Sequence, residues 1–272
     1  MLGIARTYAG GNWQSNLSAT PSTSAPGTNV TASGSTHTKG SYSQLISATT
    51  YDWHGFWLYA INTATSAAAT DVLLDVAIGA AASEQIILPN WMVGWSPAVT
   101  LGPRRMFVRI FIPRGTRVAA RCQALIASDV VNVLVFGCPG NSGLPGPLFS
   151  GCDAYGIDAA TSSGTSHTAG NSGAESTDAN VGGTTSRPYG AVMLGVASQS
   201  TTTTAIGYHW ELTIGGTTHA EWYTCNTTGE VVAGPFPETP IGVSIPSGTQ
   251  LQIQGEASGT AQAQDVAFYC FY

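Results

Sequence analysis

Ile112-Pro113-Arg114-Gly115-Thr116 returns in the same chain as Ile245-Pro246-Ser247-Gly248-Thr249. Each follows an apolar alternating run and precedes another, so each reads as a turn between two strands. Upstream, Leu73-Leu74-Asp75-Val76-Ala77-Ile78-Gly79 returns as His209-Trp210-Glu211-Leu212-Thr213-Ile214-Gly215, and downstream Val131–Phe136 returns as Val266–Phe271. The offsets of these three matches are 136, 133 and 135 residues, so the copies differ by small insertions between strands. A repeat of this length is a whole domain rather than a solenoid unit.

The alternation identifies the fold class. Val72, Leu74, Val76 and Ile78 share one face and Asp75 the other; in the second copy Tyr208, Trp210, Leu212 and Ile214 take the inward places and Glu211 matches Asp75. Side chains alternate across a strand, so a duplication that keeps the apolar face keeps a half-buried strand. Seven or eight short strands per copy, with Gly/Pro/Ser/Thr turns and no amphipathic helix, predict an all-β chain of two tandem antiparallel β-sandwich, jelly-roll-like domains. The first spans residues 1–137 and the second 153–272, with a Pro/Gly-rich linker over 138–152. Each copy opens with a polar leader, Gln14–Ser41 and Ala154–Arg187, without core-strand periodicity. A flexible loop and an extended arm ordered against a neighbouring subunit are both open readings of these leaders.

Only 9% of the 272 residues are charged, against roughly 25% in an average globular protein. Residues 1–150 carry eight Lys/Arg against five Asp/Glu, a net +3; residues 151–272 carry one Arg against ten acids, a net −9. Phosphate would be repelled by the second half, which argues against nucleic acid as a partner. No run approaches the roughly 20 apolar residues of a membrane-spanning helix. Met1–Arg6 lacks a signal-peptide core, so synthesis in a host cytoplasm is expected, with release by another route such as lysis.

Catalytic constellations are missing: no GxSxG elbow, P-loop, HExxH or paired-carboxylate motif stands in the sequence. None of the histidines lies at metal-ligand spacing from another His or Cys, so neither metal nor cofactor is expected. Cys122 and Cys270 alternate with apolar neighbours as small core hydrophobes. Cys138 and Cys152 flank the linker, free or joined as a disulfide.

The basic residues say more. Six of the nine Lys/Arg fall in one stretch: Arg104, Arg105, Arg109, Arg114, Arg117 and Arg121. Arg109 shares a face with Phe107 and Phe111, while Met106, Val108, Ile110 and Ile112 form the other; Arg117 and Arg121 alternate against Val118, Ala120 and Cys122. Arginine interleaved with aromatics fits a protein interface, where the guanidinium binds carboxylates and stacks. The other reading of the same pattern is a solvated strand face. At the matching places the second copy carries Ser247, Gln250 and Gln254 in place of Arg114, Arg117 and Arg121. Trp53 and Trp91, the tryptophans least constrained by apolar neighbours, are the candidates for stacking on a glycan.

The run Phe111–Gln123 resembles the strand–turn–strand unit of structural proteins of tailed bacteriophage virions, and Ile-Pro-Ser-Gly-Thr at 245–249 repeats the style. The likeness covers both sandwich cores. It implies a capsid decoration, a head or vertex fibre, or a tail component, often trimeric, and transfers no catalytic residue. The expectation is therefore a non-enzymatic virion protein that decorates or cements a capsid, contacting other virion proteins and copies of itself. The alternative is a tail or fibre component binding host polysaccharide.

Overall fold

A computed structural model describes residues 13–17, 27–62, 72–93, 104–140, 147–198, 206–226 and 233–272. All regular structure among them is β-strand. The first copy contributes β1 (Gln14–Ser15), β2 (Thr28–Thr31), β3 (Ser43–Ile46), β4 (Trp53–Asn62), β5 (Val72–Ile78), β6 (Gln85–Met92), β7 (Arg104–Val108), β8 (Val118–Ala124) and β9 (Val130–Pro139). The second contributes β10 (Cys152–Tyr155), β11 (Thr165–Thr168), β12 (Ala179–Thr184), β13 (Tyr189–Ser198), β14 (Ile206–Ile214), β15 (Thr217–Asn226), β16 (Ala233–Ile245), β17 (Gln250–Ala257) and β18 (Ala263–Phe271).

The two sets pair in the same way. In the first copy one sheet runs β1-β9-β4-β7, with β2 also on β9, and the other runs β3-β8-β5-β6. In the second, β10-β18-β13-β16 with β11 on β18 faces β12-β17-β14-β15. Every ladder between these strands is antiparallel. A chain that passes back and forth between two facing antiparallel sheets makes a jelly roll, and here it is made twice.

The repeated Pro-x-Gly-Thr turn is held by a buried threonine that the motif itself does not contain. Thr49 Oγ1 donates to the Pro113 carbonyl (2.6 Å) and accepts from the Thr116 amide (3.0 Å), while backbone bonds join Thr49 to Gly115 (2.7 Å) and Thr116 (2.9 Å). Thr185 makes the same four bonds to Pro246 (2.7 Å), Thr249 (2.9 Å from its amide, 2.9 Å to its carbonyl) and Gly248 (2.7 Å). Gly115 and Gly248 turn the chain at φ +81° and +78°, where a side chain is costly. Thr49 and Thr185 are 136 residues apart, the offset of the strand match at Leu73 and His209.

The leaders are more ordered than their composition predicts. Polar runs at 28–31, 165–168 and 179–184 form strands, each burying one side chain: Val30, His167 or Val181. Their backbone groups are satisfied by ladders to β9, β18 and β17, so one anchor per strand suffices. These parts of the arms are ordered against their own jelly roll. Within 138–152, residues 141–146 lie outside the described set, and the rest is tied down. Phe149 bridges to the 109–111 strand (amide to the Arg109 carbonyl, 2.7 Å), and Ser150 donates to the Tyr272 carbonyl (2.6 Å). Cys138 and Cys152 are both buried and free.

One sheet is buried on both faces. On β13 and β18, Val192, Leu194, Val196, Val266, Phe268 and Cys270 fill the second core, while Ala191, Met193, Ala197, Ala267, Tyr269 and Phe271 join the apolar cluster of the first copy. The outer face of the β10-β18-β13-β16 sheet is therefore covered by the first jelly roll. Tyr269, fully buried, donates to the Asn90 carbonyl (2.9 Å) and accepts from the Met92 amide (2.8 Å) on β6. Gly195 clears space for it, since a Cβ there would stand 2.8 Å from the Tyr269 ring. A second contact lies at the 156–164 loop, where Ser162 Oγ meets Gln123 Nε2 (3.1 Å) and His37 Nδ1 (3.1 Å).

Candidate interaction surfaces

The arginine-rich stretch does not form one face. β7 belongs to the β1-β9-β4-β7 sheet and β8 to the opposing one, so the two arginine-bearing strands present their outer sides in opposite directions. Strand alternation was legible; the change of sheet between consecutive strands is a tertiary fact.

On β7, Met106 and Val108 point into the core together with Ile110 and Ile112, all fully buried. Arg105 is exposed and Phe107 is packed on Trp57 (5.1 Å between ring centroids). Trp57 continues to Tyr59 (6.2 Å) and Tyr59 to Phe136 (5.7 Å), an aromatic ladder across β7, β4 and β9 on the outer side of this sheet. Arg109 is half-buried beyond the end of β7, its carbonyl taken by Phe149. Phe111 is 40% exposed, edge-on to His54 (5.4 Å). Arg114 is exposed in the turn, its backbone amide donating to Asp52 Oδ1 (2.7 Å). Nothing is described of the Arg104 side chain, which opens β7.

The arginines on and before β8 serve the fold. Arg117 pairs with Glu84 (2.9 Å). Arg121 pairs with Asp75 (2.9 Å) and lies over the Tyr42 ring (4.6 Å). Asp75, 2% exposed at its side chain, also holds Lys39 (2.9 Å) and accepts from the Asn90 amide (2.9 Å). Asn90, at φ +49°, thus links the buried ion cluster to Tyr269 at the seam. Burial lowers the Lys39 pKa despite Asp75 beside it.

The proposed glycan platforms are corrected by burial. Trp53 and Trp91 are both 0% exposed, and neither ring offers a face to a ligand. Each sits among enough apolar contacts from other strands that local sequence could not reveal it. Trp210 is buried as its place in the repeat requires, and so are Cys122 and Cys270. Burial pushes the Cys122 thiol up to about 12. His37 and His167, which share similar sequence surroundings, have different settings: one lies in a turn at φ +54° and the other is buried on β11 against Ser176 Oγ (2.9 Å).

On the second copy the outer side of β14 and β15 carries His209, Glu211 and Glu221, whose nitrogen and oxygen ligand atoms lie within 4.8 Å of one another. Spacing rules missed this group because two of its members come from neighbouring positions on β14 and the third from the strand across. The signal available was Glu211 itself, an acid retained in both copies at the place of Asp75.

No family model matches this chain, and no curated protein does. Among solved structures, PNGF-II superposes with a TM-score of 0.41 at 7% identity, over 90% of this chain and 64% of that one. The tandem CBM22-1-CBM22-2 domain of Paenibacillus barcinonensis Xyn10C gives 0.21 at 11% identity over 82% and 79%. The VP2 subviral particle of infectious bursal disease virus gives 0.25 at 12% identity over 83% and 57%. The chain thus spans less than two thirds of the length of the first and third of these proteins. Superpositions this loose carry no weight for function, which has to come from the residues of this chain.

Proposed function

We propose that this chain is a non-enzymatic structural protein of a virus particle, a decorating or cementing subunit of the capsid layer that bridges neighbouring subunits, copies of itself included. The observation that carries the reading is the unequal use of one face. In the second jelly roll the outer side of β10-β18-β13-β16 is buried on the first; in the first, the equivalent side keeps Trp57 and Tyr59 half-buried and Arg105 exposed, none of them in the cluster that fills the seam, while Phe107 is buried and β7 at the sheet's edge runs beside β16. The seam joins different surfaces of two related units, a heterologous contact. Repeated from chain to chain, such a contact closes a ring when the rotation allows, and a ring of three chains is the arrangement proposed. Jelly rolls are a common architecture of viral capsids and lectins, and the glycan alternative has lost its two tryptophans. A tailed-phage origin and a place in the virion belong to this proposal.

The test is the mass of the purified protein by multi-angle light scattering, with electron microscopy of particles that contain it. A mass near three times 28.0 kDa, reduced to one chain by Trp57→Ser with Arg105→Glu, supports the reading. A monomer at every concentration, a trimer indifferent to those substitutions, or particles in which the first jelly roll touches no neighbour would overturn it.

A further inference from the structure

The duplication supplies an internal control for the buried acid on the central strand of the β3-β8-β5-β6 sheet and its twin. In the first copy Asp75 is compensated by Lys39 and Arg121. In the second, the twin of Arg121 is Gln254, and the register set by Thr49 and Thr185 places Glu175 where Lys39 stands. Both cations are gone and one has become an acid. Yet the acid remains and remains buried: Glu211 is 7% exposed. A buried carboxylate without compensation is costly, so something else must balance it.

The geometry around Glu211 shows what. Its Oε2 accepts from the Thr218 hydroxyl and from Gln254 Nε2 (2.9 Å), and the same Gln254 nitrogen reaches Glu175 Oε2 (3.3 Å). Its Oε1 is turned to His209 Nε2, 3.9 Å away, and Glu221 Oε2 lies 3.4 Å from that nitrogen. Neither approach has hydrogen-bond geometry, and His209 Nε2 is buried and unsatisfied. Tyr223 stacks on the imidazole (4.7 Å, 14°) and fixes its plane.

We infer that His209 Nε2, Glu211 Oε1 and Glu221 Oε2 form a binding site for a divalent transition-metal ion of the zinc type. Ligands at about 2.0–2.2 Å in a tetrahedral shell lie roughly 3.4 Å apart, which the His209–Glu221 distance already meets and which Glu211 reaches with a small movement. Imidazole with carboxylates suits zinc better than calcium or magnesium, which prefer all-oxygen shells. Glu221, with 53% of its side chain exposed, leaves the fourth position on the solvent side. The ion replaces, in the second copy, the charge that Lys39 and Arg121 supply in the first.

Chelator-treated full-length protein titrated with ZnCl2 in a calorimeter tests this. One ion per chain is expected with a Kd in the micromolar range or tighter, weakened at least tenfold by Glu221→Gln and abolished by His209→Gln. Glu221 is a surface residue, so its variant keeps the fold, to be checked by circular dichroism. Cobalt(II) should give the visible bands of a tetrahedral nitrogen–oxygen site without a thiolate charge-transfer band. The exposed thiol of Cys225 on the same strand is the competing ligand. Binding below half an equivalent, binding unchanged in both variants, or binding lost in Cys225→Ser but kept in His209→Gln would overturn the inference.

Discussion

Replacing Tyr269 by Phe removes one oxygen from the seam between the jelly rolls and leaves the ring in place. That oxygen is fully buried and serves two backbone groups of β6, donating to the Asn90 carbonyl at 2.9 Å and accepting from the Met92 amide at 2.8 Å. A buried amide stranded without a partner costs about 1–3 kcal/mol, and losing the bond to a carbonyl that keeps other acceptor capacity costs about 0.5–1.5 kcal/mol. Their combined effect is a destabilisation of about 1.5–4.5 kcal/mol. With an unfolding entropy of about 2.1 cal/mol/K per residue, that lowers Tm by roughly 3–8 °C in a chain of this size. Urea unfolding followed by tryptophan fluorescence, with calorimetry alongside, measures it. Tyr223→Phe is the control, since Tyr223 is 75% exposed and its hydroxyl is not needed by the core. If Tyr269→Phe costs less than about 0.5 kcal/mol, no more than surface changes usually do, the seam is not held as described. The packing of the second jelly roll on the first, and the chain-to-chain contact proposed from it, would lose their support.

Three further outcomes are expected. Thr49→Val and Thr185→Val each break a donated and an accepted bond at equivalent turns, so each should cost about 1–3 kcal/mol in urea titrations. The double variant should cost their sum to within about 0.5 kcal/mol, as for distant sites. Burial lowers the His167 pKa in the folded protein, so the unfolded chain takes up that proton first, near its ordinary value of about 6.5. Stability should therefore fall as pH drops below that point until the folded value is passed, and His167→Gln should flatten this part of a pH series. Native protein should expose one thiol per chain to a thiol reagent, Cys225, and five after unfolding; a native count of one with only three after unfolding would reveal a disulfide.

Much of the fold was legible because the chain states it twice. Inward residues such as Val131, Val133 and Val135 align with Val266, Phe268 and Cys270, and all six are fully buried. Less legible were residues whose partners lie far along the chain. The leaders read as loops because a strand such as Thr165–Thr168 buries only His167 and owes its order to β18. Arg117 and Arg121 read as interface residues because Glu84 and Asp75 stand elsewhere in the sequence. Trp53 and Trp91 read as available because what covers them comes from other strands. Glu211 was visible as the twin of Asp75, but its neighbours were not.

The sequence by itself determined the duplication, the strand class, which side of each strand faces its own core, and the turn at each Pro-x-Gly-Thr. These follow from alternation and local backbone chemistry, which need only adjacent residues. Tertiary structure alone decided which outer faces are covered, that β7 and β8 face opposite ways, and which charges meet. The reason is physical: what covers an outer face, and which side chains meet on it, depends on residues far along the chain. Only packing brings Tyr269 to Asn90, and Glu221 across to His209 and Glu211.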